Sequence, residues 1–131
     1  MQPALSLAES ALRAPGLVVV EWTHPGGGST PPAYIAPLHR HFADDEAWYV
    51  LEGALAFRVG EEKLVAEAGA GVTAPRGVAH TYWNPRPEPA RYLLAMGPTI
   101  DALLRALHEP GRPDDLAELF AAHSSEFLGW P

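Results

Sequence analysis

The sequence predicts an all-β fold of the antiparallel sandwich or barrel type, followed by a C-terminal helical tail. Fourteen prolines and twelve glycines among 131 residues predict frequent turns and short elements. Between residues 16 and 97, short apolar runs with period-two alternation are separated by such turns. From residue 98 the apolar period becomes helical. The length is that of one domain, in which 1–97 form the barrel with an N-terminal lead-in and 98–131 form a helical extension packed on it.

The strands are predicted from alternation between turn signals. The clearest begins at Gly53, where Leu55, Phe57 and Val59 share one face and smaller or polar residues occupy the other. Residues 1–15 carry a weak helical pattern and are predicted to form a short lead-in element. The predicted strands are 16–24, 47–52, 53–59, 63–67, 69–74, 78–83 and 91–96, and a further strand is expected around His39.

The tail carries two amphipathic helices. Thr99 is placed to cap the first and Asp114 the second, with a break at Pro110-Gly111. Each helix has one apolar stripe, which must be buried against the barrel, the other helix or a second subunit. We expect the helices to pack outside the barrel, with a lid over a site as the alternative. The end of the chain, 126–131, is predicted to be an unstructured stretch that docks, for example across the barrel.

The composition excludes several classes of protein. A net charge of −7 with a single lysine leaves no basic stripe for nucleic acid. The absence of cysteine excludes disulfides, thiolate catalysis and Cys-ligated metals. No apolar run approaches the ~20 residues that a membrane span needs, and the N-terminus lacks the pattern of a signal peptide. We therefore expect a cytoplasmic protein with neither a nucleic-acid nor a membrane partner.

Three histidines and one glutamate form the most informative pattern. Residues two apart on a strand share a face, so His39 and His41 are predicted to point the same way, about 6–7 Å apart. Glu46 follows after a short turn, and His80 begins another strand. Three imidazole nitrogens and one carboxylate suit a divalent transition metal. The neighbouring Asp44 and Asp45 are interpreted as a solvated turn.

These segments resemble the two sequence motifs of the cupin superfamily. The first motif is G-x5-H-x-H-x(3,4)-E-x6-G and the second is G-x5-P-x-G-x2-H-x3-N. One departure is Ala33, which stands where the first motif begins with glycine. The resemblance covers roughly residues 35–97. The matching residues are His39, His41, Glu46 and Gly53 in the first motif, and Gly69, Pro75, Gly77, His80 and Asn84 in the second.

The resemblance implies a double-stranded β-helix, or jelly-roll, barrel with the four ligands inside. They would bind one divalent transition metal, either Fe, Mn, Ni, Cu or Zn, with Glu46 as a ligand or as a base beside the ion. Asn84 is interpreted as closing a turn ahead of Pro85. His24, His108 and His123 are expected at the surface or at helix ends. The candidate residues of the pocket wall are Trp48, Val50, Leu55, Phe57 and Tyr82.

The resemblance also directs the functional hypotheses. The first is a metal-dependent oxygenase, similar to quercetinase-like dioxygenases, that acts on a small, mostly apolar, oxygen-bearing molecule. The second is a zinc-dependent isomerase, cyclase or lyase, and the third is a non-enzymatic barrel that binds a small molecule. The resemblance to small cupins, which form homodimers, also implies a homodimer for this chain.

Overall fold

Two antiparallel sheets enclose the hydrophobic core. A computed structural model describes residues 4–7 and 10–131, and these residues contain ten strands and two helices. The elements are β1 (Leu12–Ala14), β2 (Leu17–His24), β3 (His39–His41), β4 (Glu46–Glu52), β5 (Ala54–Val59), β6 (Glu62–Glu67), β7 (Gly71–Ala74), β8 (His80–Trp83), β9 (Ala90–Met96), α1 (Pro98–Leu107), α2 (Leu116–Ala121) and β10 (Ser125–Phe127).

The strand order in the first sheet is β1-β2-β9-β4-β7 and in the second β10-β3-β8-β5-β6. Side chains from both sheets meet in one core, because alternate residues of each strand point inward. The burial of β9 follows this alternation along its whole length. The all-β barrel with a C-terminal helical part is thereby confirmed. Ala54 and Ala56 of β5 are buried as well as Leu55 and Phe57, so both faces of this part of the strand are covered, where the alternation predicted one buried face.

The lead-in differs from its prediction. Its described part holds the strand β1, which pairs with β2 at the edge of the first sheet, where the weak pattern predicted a helix. Ala8, which contributed to that pattern, lies outside the described residues. An edge strand gains its hydrogen bonds from its neighbour, and this gain outweighs a weak local preference.

The helix caps also differ from their predictions. Helix α1 begins at Pro98 after Gly97, so Thr99 is not the cap. The carboxylate of Asp44 instead accepts hydrogen bonds from the backbone N–H groups of Thr99 and Ile100, at 2.8 and 3.0 Å. Asp44 is therefore a capping residue rather than part of a solvated turn. Helix α2 is capped by Asp115, one residue after the predicted Asp114, through Glu118 N at 3.1 Å.

The C-terminal segment packs closely on the barrel. Ile100 of α1 joins the main core, and Leu103 forms a second cluster with Leu119 and Phe120 of α2. Residues 126–131, predicted to be an unstructured stretch that docks, do dock on the barrel, but Glu126 and Phe127 form part of β10, which pairs antiparallel with β3. None of the helices in the described residues has the length and apolarity that crossing a membrane requires.

Candidate metal centre

The four polar residues singled out from the sequence meet inside the barrel. His39 and His41 lie on β3, Glu46 begins β4 and His80 begins β8. His39 stands directly opposite His80 in the pairing of β3 with β8. All four side chains are buried, with at most 6% of any residue exposed. One nitrogen or oxygen atom from each lies within 4.8 Å of the others, so that this group could hold a metal ion.

Each imidazole is oriented by a hydrogen bond at its Nδ1 atom. If Nδ1 carries the proton and donates it, Nε2 keeps its lone pair and is free to bind a cation. Nε2 is the atom that His41 and His80 turn toward the Glu46 carboxylate, and Nε2 is the nitrogen of His39 left over by its Nδ1 hydrogen bond. The acceptors are the carbonyl oxygen of Pro37 for His39 at 2.7 Å, that of Val78 for His80 at 3.0 Å, and the hydroxyl of Ser125 for His41 at 2.7 Å.

The ionisation states of the group favour a cation at neutral pH. Burial raises the pKa of Glu46, but the adjacent imidazoles of His41 and His80 outweigh it and lower that pKa to about 2. Burial and the charges of His80 and His41 lower the pKa of His39 to about 3. The result is a carboxylate beside a neutral imidazole. Metal ligands need these forms, because a protonated nitrogen has no lone pair to donate.

A buried nitrogen atom without a hydrogen-bond partner supports the binding of a metal ion at this site. His41 Nε2 lies 3.3 Å from Glu46 Oε1 and has no hydrogen-bond partner among the described residues. A buried polar atom without a partner is costly, and a cation between the nitrogen and the carboxylate would satisfy both. Three nitrogens and one oxygen form a donor set that several divalent transition metals accept.

A cavity of about 250 Å³ lies beside this group. His39, His41 and Glu46 contribute to its lining, and most of the remaining wall is apolar. Of the predicted wall residues, Trp48 and Tyr82 line the cavity. The other three fill the core: Val50, Leu55 and Phe57 are at most 1% exposed and do not border the cavity. Inward-facing residues at that level of a small barrel pack against one another and leave no space.

The C-terminal segment forms part of the cavity wall, so the helices combine the expected packing outside the barrel with the alternative, a cover over a site. Helices α1 and α2 therefore pack on the barrel and border the site at the same time. Their amphipathic pattern was the available signal, but a pattern does not reveal what the apolar stripe covers. The wall residues from this segment are Leu103, Leu104, Leu107, His108, Arg112, Leu116, Phe120 and Trp130, and Trp22 and Tyr92 join them from β2 and β9.

Two tyrosines supply polar atoms to this wall. The hydroxyls of Tyr82 and Tyr92 lie 3.0 Å apart and are buried. Burial raises the pKa of Tyr82 well above its usual range, and it raises that of Tyr92 to about 12. Both hydroxyls therefore stay protonated at neutral pH. The indole N–H of Trp48 is also buried and has no acceptor in the part of the chain that the structure describes, so the cavity wall offers hydrogen-bond donors.

The other residues considered from the sequence take different places. Asn84 closes the turn after β8, since its side chain accepts from Arg86 N at 3.0 Å and donates to Glu88 O at 2.8 Å. His108 is exposed at the end of α1, packs against Trp22 and borders the cavity. His24 ends β2 and His123 follows α2, and neither belongs to the four-residue group.

Comparison with known proteins identifies a family for most of the barrel. Residues 21–96 match the family model described as a cupin domain. No protein with a curated function matches the chain. Among solved structures, an uncharacterized conserved protein with a double-stranded β-helix domain from Klebsiella pneumoniae is similar, with 26% identity and a TM-score of 0.58. That match covers 75% of this chain and 91% of the other.

Two further structures extend the comparison. TT1209 from Thermus thermophilus is 26% identical, with a TM-score of 0.57, over 66% of this chain and 77% of that one. A predicted oxalate decarboxylase from Thermotoga maritima is 19% identical, with a TM-score of 0.52, over 63% of this chain and 67% of that one. At that identity the likeness concerns the fold alone. The family match ends before α1, so it leaves out the C-terminal segment that borders the cavity.

Proposed function

Because the chain belongs to the cupin family, we propose that its buried group of three histidines and one glutamate binds a divalent transition metal and makes it a metal-dependent oxygenase. The substrate we propose is a small, mostly apolar, oxygen-bearing organic molecule. The observation that carries the proposal is the position of this group at the side of a mostly apolar cavity. A redox-active ion held there would supply dioxygen chemistry, whereas zinc would supply only Lewis-acid chemistry.

Different residues would bind the metal ion and transfer the proton. His39, His41 and His80 would hold the ion through Nε2. Glu46 is ionised at neutral pH and would either hold the ion or accept a proton from the substrate at a carboxylate oxygen. The surrounding apolar wall would exclude water and restrict the orientation of the substrate.

The cavity wall indicates the class of substrate. Most of its surface comes from leucine and aromatic side chains, which favour an apolar body over a sugar or a phosphate. Lys63 lies on β6, away from the cavity, and among the lysine and arginine side chains that the structure describes only the exposed Arg112 borders it. One proton of the Tyr82–Tyr92 pair is used in the hydrogen bond between the two hydroxyls, so the other hydroxyl proton and the Trp48 N–H are the donors suited to a carbonyl or enolate oxygen. A flavonol or a β-diketone combines these features.

An isomerase, cyclase or lyase is the second candidate. It is favoured by the ionised Glu46 carboxylate, which can act as a base without any oxidant. Here the metal would polarise a carbonyl group and the carboxylate would move a proton.

Metal analysis followed by oxygen uptake tests the proposal. We expect the protein purified without added metal to contain about one equivalent of a redox-active ion. With that ion, we expect oxygen uptake in the presence of a flavonol or a β-diketone. Glu46→Gln and His80→Ala should lose the metal, whereas the matched control His24→Ala changes a histidine outside the group and should retain it.

The alternatives give different results in the same assays. Turnover of a carbonyl compound by the zinc form, without oxygen uptake, would favour the isomerase, cyclase or lyase. A stoichiometric ligand without any product would favour a binding protein. If no candidate ion supports oxygen uptake with any of these substrates, the oxygenase proposal is wrong.

A further inference from the structure

We propose that Ser125 is a positioning residue for the metal centre, which ties metal binding to the docking of the C-terminal segment. Ser125 lies on β10, beyond the residues that match the cupin family model. It orients the His41 imidazole, and it therefore acts on the metal through another side chain. The inference rests on the metal site proposed above, but it assigns a role to a part of the chain that the family match does not include.

A chain of two hydrogen bonds determines which nitrogen of His41 faces the cluster. The hydroxyl of Ser125 lies 3.1 Å from the carbonyl oxygen of His123, to which it donates its single proton. The same hydroxyl oxygen lies 2.7 Å from His41 Nδ1, and it must accept there because its proton is already used. Nδ1 of His41 therefore carries a proton, and Nε2 presents its lone pair to the cluster.

Burial makes this chain of bonds effective. Ser125 and His41 are each 4% exposed, so water cannot readily replace the hydroxyl as the acceptor. Without an acceptor, a buried Nδ1–H would cost free energy, and the ring would be free to rotate or to move its proton to Nε2. Both changes would weaken a metal ligand. The hydroxyl thus favours the form of His41 that binds a cation.

His41 differs in this respect from the other two histidines. The Nδ1 atoms of His39 and His80 bond to carbonyl oxygens two residues earlier in the chain, so their orientation is set locally. His41 relies on a side chain 84 residues away. It is therefore the ligand whose orientation depends on tertiary docking, and its partner is a hydroxyl that a substitution can remove.

The strand that carries His39 and His41 is held mainly by the C-terminal segment. Strand β3 pairs with β8 at one residue position but with β10 at three, including Ser125 opposite His41. Backbone hydrogen bonds extend this pairing on both sides of β3. They run from Phe42 N to Ser124 O and from Leu128 N to Leu38 O, each at 2.8 Å. Docking of β10 therefore places the hydroxyl and supports the ligand strand together.

The test compares metal affinity in three variants. Zn²⁺ and Co²⁺ affinities are measured by competition with a chelator, and the visible absorption of the Co²⁺-loaded protein reports ligand geometry. Ser125→Ala should bind both ions about 10 to 100 times more weakly, the usual effect of losing such a partner of a ligand. Ser125→Thr keeps the hydroxyl and should restore affinity and spectrum to nearly those of the unmodified protein.

Glu126→Gln is the matched control on the same strand. Glu126 pairs with Arg40 at 2.6 Å and lies one position from Ser125, so it projects to the other face of β10. Its substitution loosens docking without removing the acceptor of His41, and it should leave metal affinity within about threefold of the original. Chemical denaturation of each metal-free variant shows whether the fold is retained.

The possible results distinguish the positioning role of Ser125 from the existence of the metal site. If Ser125→Ala keeps the original affinity and spectrum, the positioning role is refuted while the metal site stands. An equal loss in Glu126→Gln would assign the effect to strand docking and would also refute it. If the unmodified protein binds neither ion, the metal site itself is refuted, together with everything inferred from it.

Discussion

The same buried cluster lowers the pKa of His39 and the pKa of Glu46, but burial has opposite effects on the two groups. For His39, burial and the neighbouring histidines both disfavour the charged form, and the pKa falls to about 3. For Glu46, burial disfavours the charged form, but the adjacent imidazoles of His41 and His80 favour it more strongly and lower its pKa. Both effects leave the native protein with fewer bound protons than the unfolded chain in acid.

This difference in the number of bound protons predicts how the stability of the metal-free protein depends on pH. The unfolded chain binds more protons than the native protein between the native and ordinary pKa of each group. The windows are pH 3 to 6.5 for His39 and 2 to 4.5 for Glu46. The free energy of unfolding should therefore fall as the pH falls below 6.5, with a slope approaching about 1.4 kcal/mol per pH unit for one proton.

Urea denaturation between pH 7 and pH 4 measures this slope. His39→Gln removes the titrating imidazole and should flatten the dependence above pH 4.5, whatever its effect on stability at pH 7. An unfolding free energy that stays constant from pH 7 to pH 5 in the unmodified protein would contradict the prediction.

At the scale of elements, the loop between β3 and β4 connects the site to helix α1. Asp44 in this loop caps α1, and Glu46 two residues later faces the cluster. Gly97 lies directly under the Asp44 carboxylate, and a Cβ at that position would collide with it. The same short loop thus anchors a helix of the cavity wall and begins a strand that carries a candidate ligand.

Asp44→Ala should destabilise the protein by about 1 kcal/mol, because two backbone N–H groups lose their acceptor and the helix dipole loses a nearby negative charge. The change is measured by chemical denaturation of the metal-free protein. Asp45→Ala is the matched control: Asp45 is exposed and pairs with Arg76, so the denaturation midpoint should change less. Equal effects of the two substitutions would contradict the capping role.

At the scale of the whole molecule, the C-terminal segment adds a strand and part of the cavity wall to the barrel, whereas strand β1 near the N-terminus forms an exposed sheet edge. The segment adds β10 to the second sheet and contributes wall residues to the cavity. Strand β1 ends the first sheet, and its residues are exposed. An exposed edge strand is a surface on which another chain can pair.

Removal of residues 124–131 should lower the unfolding free energy by more than about 2 kcal/mol, because β3 loses a neighbouring strand and Phe127 leaves its contact with Phe120. Metal retention should fall with it. Thermal denaturation and metal analysis of the truncated protein check both effects. Trp130→Ala is the control, since Trp130 is 57% exposed and its loss should change stability by less than about 0.5 kcal/mol. A truncated protein with unchanged stability and metal content would refute the prediction.

We further expect a homodimer that uses the β1 edge. Leu12 and Leu17 on β1 and β2 are 38% and 53% exposed, and a second copy would cover them. Gel filtration with light scattering should give twice the chain mass at micromolar concentration, and Leu17→Arg should shift the protein to monomer. A monomer for the unmodified protein at that concentration would contradict the expectation.

Local patterns in the sequence, together with the cupin motifs that they match, indicated the fold class and the four candidate ligands. Alternation of period two reveals a half-buried strand, and the spacing of His39 and His41 places both on one face before any tertiary contact is known. Only the tertiary structure decided which side chains complete the site. Asp44 and Thr99 are 55 residues apart and His41 and Ser125 are 84 apart, and no local period relates such pairs. The wall of the cavity depends on the same long-range packing, because an apolar stripe shows that a helix must be covered but does not show by what.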